Sequence, residues 1–375
     1  MRKHFGTVAG VAALFSGAIA TGSARADDAS ADTTSAQTAY QQTNLISNVA
    51  GLAPTTDANL LNPWGIAWAP GGALWASDNN GSVSTLYSGA GAIVPLVVTI
   101  PPADSSAPTG MVWNPNPNQF AIPGTTIGAT FIFDGEDGTI TAWNPAADPV
   151  TAGKSTASLV IDNSAAGAVY KGLAFGTNVR GNFLFATNFN SGKVEAYDNK
   201  FAPTTLDGAF TDPQLPQGYA PFGISNIDGD LFVTYAKQDA AKHDPVRGDG
   251  LGFVDVFTTN GKLVRRFASR GVLNAPWGVV RAPLGFGKFG GEILVGNFGN
   301  TGRFAGWISA FDNRGSFLGE LRAPNGRPIA IDGLWALSFG TFSASDGDTL
   351  YFTAGIHDEA DGLFGKLTAV AGRDR

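Results

Sequence analysis

Pro63-Trp64-Gly65-Ile66 opens a short apolar run, and the same pattern returns five more times along the chain. The other openers are Pro108-Thr109-Gly110-Met111, Lys171-Gly172-Leu173, Pro221-Phe222-Gly223-Ile224, Pro276-Trp277-Gly278-Val279 and Asp332-Gly333-Leu334. Their glycines stand 45, 62, 51, 55 and 55 residues apart. Each opener is followed by a second apolar run ending in Asp or Asn and Gly, and then by a third. A repeat of this length built from short strands marks the blade of a β-propeller. The expected fold is therefore all-β, a six-bladed β-propeller.

Blade one is expected to have strands near 65–69, 73–77, 83–87 and 94–100, with a turn at Asp78-Asn79-Asn80-Gly81. The last blade runs out of chain after three strands, near 334–339, 350–353 and 363–370. One strand-like segment, residues 40–47, is left over before blade one. If it supplies the outer strand of blade six, the ring closes without an exposed edge. The opener glycines suit the narrow channel, where six backbones approach closely. The prolines fix φ on entry to the strand.

Composition agrees with many short strands and tight loops: 50 Gly, 21 Pro, 26 Phe and 8 Trp in 375 residues, with 15% charged. Residues 1–26 read as a signal peptide. Arg2-Lys3-His4 form the positive start, residues 8–20 are small and apolar, and Ala24-Arg25-Ala26 is a cleavage pattern. Residues 27–39 read as a disordered leader, and 40–375 as the propeller domain. Loss of Arg2, Lys3 and Arg25 leaves 21 basic residues against 31 acids, a net charge of about −10. That balance disfavours nucleic acid. The body has no apolar run long enough for a membrane span. Zero cysteines exclude disulfides, thiolate metal sites and a Cys nucleophile. The expectation is a secreted or periplasmic monomer.

In a four-stranded antiparallel blade, the loop before strand one and the turn between strands two and three share a face. That face gathers Asn62, Trp64, Asn274, Trp277 and Asp332 from the openers. The turns add Asp78, Asn79, Asn188, Asn190 and Asn297. Oxygen ligands from several blades around one axis suit a hard cation such as calcium. The same residue types also cap turns and pack loops. His243-Asp244 lies in the long charged loop of blade four and His357-Asp358 in a turn of blade six. Two such pairs facing each other can bind a transition metal or transfer protons. No Gly-x-Ser-x-Gly, P-loop or HExxH occurs.

The Pro-x-Gly-Ile opener and the following Gly-x-[Val/Ile]-x-x-[Tyr/Phe] strand resemble NHL-repeat propellers and the SMP-30/gluconolactonase-like group. Asn62-Pro63-Trp64-Gly65-Ile66 with Ser77-Asp78-Asn79-Asn80-Gly81, and Asn274-Ala275-Pro276-Trp277-Gly278 with Gly296-Asn297-Phe298-Gly299, resemble an uncharacterised family of secreted bacterial propellers over residues 40–370. Some of its members carry a C-terminal sorting tail; residues 366–375 have no apolar anchor, so no such sorting is expected. The lactonase-like resemblance implies a divalent metal in the channel held by Glu, Asn and Asp, whereas no opener here contains Glu. Two functions are expected from this pattern. One is a non-catalytic propeller binding a small molecule, polysaccharide or protein through its loop-rich face. The other is a metal-dependent hydrolase or lactonase.

Overall fold

The computed structural model describes residues 38–103, 105–340 and 347–372. The segment read as a signal peptide, and nearly all of the expected leader, lie outside them. The regular structure of the described chain is almost all strand, in six small sheets joined by turns and loops. The inner strands of blades one to six are Pro63–Trp68, Pro108–Trp113, Tyr170–Asn178, Tyr219–Ile227, Pro276–Arg281 and Leu334–Phe339. Each neighbours the next, and the sixth neighbours the first, so the ring is closed around a channel. The protein is a six-bladed β-propeller.

Period-two alternation explains the packing. On the second strand of blade two (Phe131–Gly135), Phe131 and Phe133 pack with Trp75 and Leu86 of blade one. Ile132 between them points the other way, into a core with Leu173 and Leu184 of blade three. The same two-sided use of each sheet produces six apolar cores, one between every pair of adjacent blades.

The leftover segment is the closing strand. Ala39–Ser47 pairs antiparallel with the last strand, Asp361–Val370, from Ala39 opposite Val370 to Ser47 opposite Leu363. It begins one residue earlier than the sequence suggested. Tyr40 is fully buried in the core between blades five and six. Its hydroxyl donates to Phe286 O (3.1 Å) and accepts from Phe289 N (3.0 Å). Leu45 and Ile46 are buried between blades six and one.

Two details differ from the sequence reading. The sixth opener is Leu334-Trp335-Ala336, two residues later than Asp332-Gly333-Leu334, with Ala336, three residues after Gly333, where the other five blades have glycine. Gly333 has another job, a left-handed turn (φ 60°) against Gly355 O. The close approach explains the other glycines: a Cβ on Gly65 would sit 2.6 Å from Thr109 O, and on Gly278 2.7 Å from Trp335 O. The second difference is Lys154–Thr156, which joins the outer edge of blade one as a parallel strand and ties it to blade two.

Hydroxyls on second strands tie neighbouring blades around the channel. Thr187 Oγ1 donates to Phe222 O (2.8 Å) and Thr353 Oγ1 to Trp64 O (2.5 Å). At the matching position blade two has Asp134, whose Oδ1 accepts from Thr109 Oγ1 (2.9 Å) and whose Oδ2 has no partner. Burial pushes its carboxyl up to about 7, against the donations from Thr109 and the Gly110 N–H. The folded protein thus holds this proton to a higher pH than the unfolded chain does. The stability tied to it is full below about pH 4 and is lost as pH rises towards about 7. Asp134→Asn is expected to raise stability by about 1–3 kcal/mol at pH 8, with the gain vanishing near pH 4. Thermal melts across pH check this; a constant difference at all pH values would refute it.

Candidate functional site

The residue before each opener glycine, or before Ala336 in blade six, sits near the start of its inner strand: Trp64, Thr109, Lys171, Phe222, Trp277 and Trp335. Four of the six are aromatic, and with Phe189 and Phe298 they form an axial cluster. Trp335 is sandwiched between Trp64 (centroids 3.4 Å apart, 20° between planes) and Phe298 (3.7 Å, 14°). Trp277 and Phe222 close on this stack edge-on or tilted. Edge-on contacts such as those of Trp277 add to the burial of the cluster. The cluster closes the channel from above.

Lys171 breaks the aromatic series. Its side chain is fully buried, with Nζ 5.2 Å from the Trp64 ring centre. A buried ammonium needs a counter-charge. Glu136, from the turn between strands two and three of blade two, pairs with it directly, and Asp244 Oδ1 is 3.5 Å away. Glu136 is itself held by Asn79 Nδ2 (3.0 Å). Burial works against the Asp244 carboxylate, but Lys171 and the His243 contact (Nδ1 to Oδ1, 2.9 Å) outweigh it and keep its pKa below the usual value.

The blade-four and blade-six loops meet here. Arg247 donates to Asp358 (2.5 Å) and to Glu359 Oε1 (2.6 Å), and its guanidinium lies 4.7 Å from the Phe298 ring centre. Asn62 bridges downward, accepting from Trp335 Nε1 (2.9 Å) and donating to Glu359 Oε2 (3.1 Å). Burial raises the Glu359 pKa; Arg247 and Asn62 oppose this, and the negative charge of Glu136 adds to it. His357, Asp358 and Glu359 are all left-handed, with φ of 54°, 56° and 69°. For residues with a Cβ that conformation costs roughly 1–2 kcal/mol each. Strain held by surrounding contacts concentrates at functional loops. Here the holding contacts are Arg247 and the His357 N–H to Asp332 Oδ2 (2.8 Å).

The sequence candidates do not form a single site. Asn62, Asn79 and Asp244 belong to the mouth cluster. Trp64 and Trp277 are buried beneath it, and Trp277 Nε1 donates to Lys171 O (2.8 Å). Asp78, Asn188, Asn274 and Asn297 are buried and bonded to their own surroundings. Asp78 accepts from Thr85 (2.7 Å), and burial raises its carboxyl well above the usual value. Asn188 donates to Glu195 (2.8 Å), while Asn274 and Asn297 bond loop backbone on the same face. Asn190 is half-buried and Asp332 exposed. The two His-Asp pairs separate: His243 bonds Asp244, whereas His357 bonds Asp361 (2.8 Å) and Asp358 bonds Arg247. Among the described residues, the one group of three or more acid or imidazole ligands within 4.8 Å of one another is Glu136, His243 and Asp244.

Glu136, Lys171, Arg247 and Glu359 were not singled out as site residues from sequence. Lys171 is the one charge at its opener position, otherwise held by Trp, Phe or Thr, once blade six is read in the register of Trp335. Glu136 and Glu359 sit in charged turns whose proximity only the ring closure reveals.

No family model matches the chain. It is 34% identical over 333 residues to "Uncharacterized protein R648" of Acanthamoeba polyphaga mimivirus, covering 86% of this chain and 78% of that protein. To "Uncharacterized protein L690" of the same virus it is 33% identical over 338 residues, covering 86% and 84%. Among solved structures, a streptogramin B lyase superposes with a TM-score of 0.51 at 12% identity, over 89% of this chain and 99% of that one. The virginiamycin B lyase of Staphylococcus aureus gives 0.49 at 18% identity, over 88% and 99%. At such identities the first likeness shows the fold alone. The conserved length and identity with the viral proteins go further: the chain belongs to the family that contains mimivirus R648 and L690.

Proposed function

We propose that the protein is a non-catalytic binder that takes a positively charged ligand or partner at the upper mouth of the channel. The observation that carries this is a local charge imbalance. Glu136, Asp244, Asp358 and Glu359 converge there against Lys171 and Arg247. Lys171 is sealed below the surface, while Asp244 and Asp358 are more than half exposed. Carboxylates over a dry aromatic floor favour a cation, because the low-dielectric wall beneath focuses their field. An exported monomer is part of this proposal.

A metal-dependent hydrolase is the second reading, favoured by the close grouping of Glu136, His243 and Asp244. Calcium or a transition metal there must compete with the Lys171 ammonium, which already pairs with two of the three ligands. That competition puts the binding reading first. Spermine is expected to raise the melting temperature at low salt, and the shift is expected to fade as salt screens it. A panel of esters and lactones, with calcium, manganese or zinc, is expected to give no turnover above background. Metal-dependent turnover, lost in His243→Ala with His357→Ala, would reverse the order of the two readings.

A further inference from the structure

Below the aromatic cluster the channel opens again, on the face opposite the charged mouth. It forms a blind cup of about 340 Å³ whose deep end is reached by Trp277 and Ala336. Its wall is one aliphatic side chain from each blade: Ile66, Met111, Leu173, Ile224, Val279 and Leu337. Aromatic residues at or near the ends of the inner strands widen it into a rim of Trp68, Trp113, Phe175 and Phe339. Among the described residues, no Asp, Glu, Lys or Arg lines it. The inner strands end half-exposed here, whereas their first four residues are mostly buried.

Among the described residues, the polar side chains of the cup other than the Trp indoles are few and one-sided. Ser225 and Asn226 come from blade four and Ser338 from blade six. Asn226 is spent on the backbone, donating to Phe175 O (2.9 Å) and accepting from Gly229 N (3.0 Å). Ser338 Oγ accepts from Trp68 Nε1 (3.3 Å), which leaves its own proton for an outside acceptor. A concave, apolar site of this volume with a few polar groups at its edge has the form of a small-molecule pocket.

We infer that the cup binds an uncharged small molecule with an apolar ring or short-chain body and one hydrogen-bond acceptor, which meets Ser338 at the rim. The reasoning is independent of the charged mouth. An ionised ligand would lose its hydration with no counter-charge on the wall. The aromatic cluster stops anything from threading through, so entry and exit use one end.

The test uses N-phenyl-1-naphthylamine as probe, and its sulfonated analogue 1-anilinonaphthalene-8-sulfonate as the charged control. The neutral dye is expected to show saturable fluorescence enhancement at one site per chain, and the sulfonate to bind at least about tenfold more weakly. Ile66→Trp, which fills the cup, and Ser225→Asp, which puts a charge on its wall without removing apolar packing, are each expected to weaken the neutral dye by about tenfold or more. Ser225→Asp keeps the test decisive if the larger side chain disturbs folding. Absence of saturable binding, equal binding of the two dyes, or unchanged affinity in a folded Ser225→Asp variant would overturn the inference.

Discussion

A chain beginning at residue 48 is expected to melt on the order of 10 °C below one beginning at residue 38. The shorter chain lacks the outer strand of blade six. It loses the ladder from Ala39 opposite Val370 to Ser47 opposite Leu363 and leaves the edge of Asp361–Val370 unpaired. Burial of Leu45 and Ile46 alone is worth about 3–6 kcal/mol. Loss of Tyr40 also strips Phe286 O and Phe289 N of their shared hydroxyl partner. The open edge is a template for association. The deletion is therefore expected to shift the protein towards dimers or aggregates on size exclusion as well. Removing residues 27–37 alone is expected to cost little, since their Ala, Ser, Thr and Asp composition offers little apolar area to bury. Equal melting of the two chains would refute closure by the N-terminal strand.

Glu136→Ala is expected to destabilise the protein by about 3–5 kcal/mol, the usual result of leaving a buried charge unpaired. Lys171 is fully enclosed, and its remaining counter-ion, Asp244, is at 3.5 Å. If the pair itself is the cause, removing both charges must cost less than removing one. Lys171→Met combined with Glu136→Ala is expected to recover most of the loss, because Met packs against Trp64 and Phe189 without a charge to solvate. Additive losses in the double variant would mean that the ammonium is not sealed as described. Denaturant melts of the two single variants and the double variant complete the cycle.

The fold was open to a sequence reader because each blade repeats the same physical problem. An inner strand must pass its neighbour at backbone distance, so Gly65, Gly110, Gly172, Gly223 and Gly278 recur in register. Where the sixth blade uses Ala336, the repeat is masked, and the nearby Gly333 draws the eye to the wrong register. The closing strand was legible by arithmetic: one strand missing at the end and one spare at the start. The charged mouth was only half legible. Position on the loop-bearing face follows from strand order, which places His243, Asp244, His357 and Asp358 on the same side as Asn62 and Asn274. Which of these meet depends on side-chain reach across the ring, 112 residues apart for Arg247 and Glu359. The cup on the opposite face was not anticipated at all. It is made by residues at or near the ends of the inner strands, whose apolar character reads in sequence as ordinary core.

The central claim is that the mouth of the channel is an electrostatic trap for a cation. Isothermal titration with spermine and with calcium, at low salt, compares the natural chain with the double variant Asp244→Asn, Glu359→Gln. Both substitutions remove charge at partly exposed positions and keep the side-chain shape. Saturable binding of at least one cation at one site per chain, weakened about tenfold or more in the double variant, is the predicted result. The absence of saturable heat with either cation, or identical isotherms for the two proteins, would contradict it.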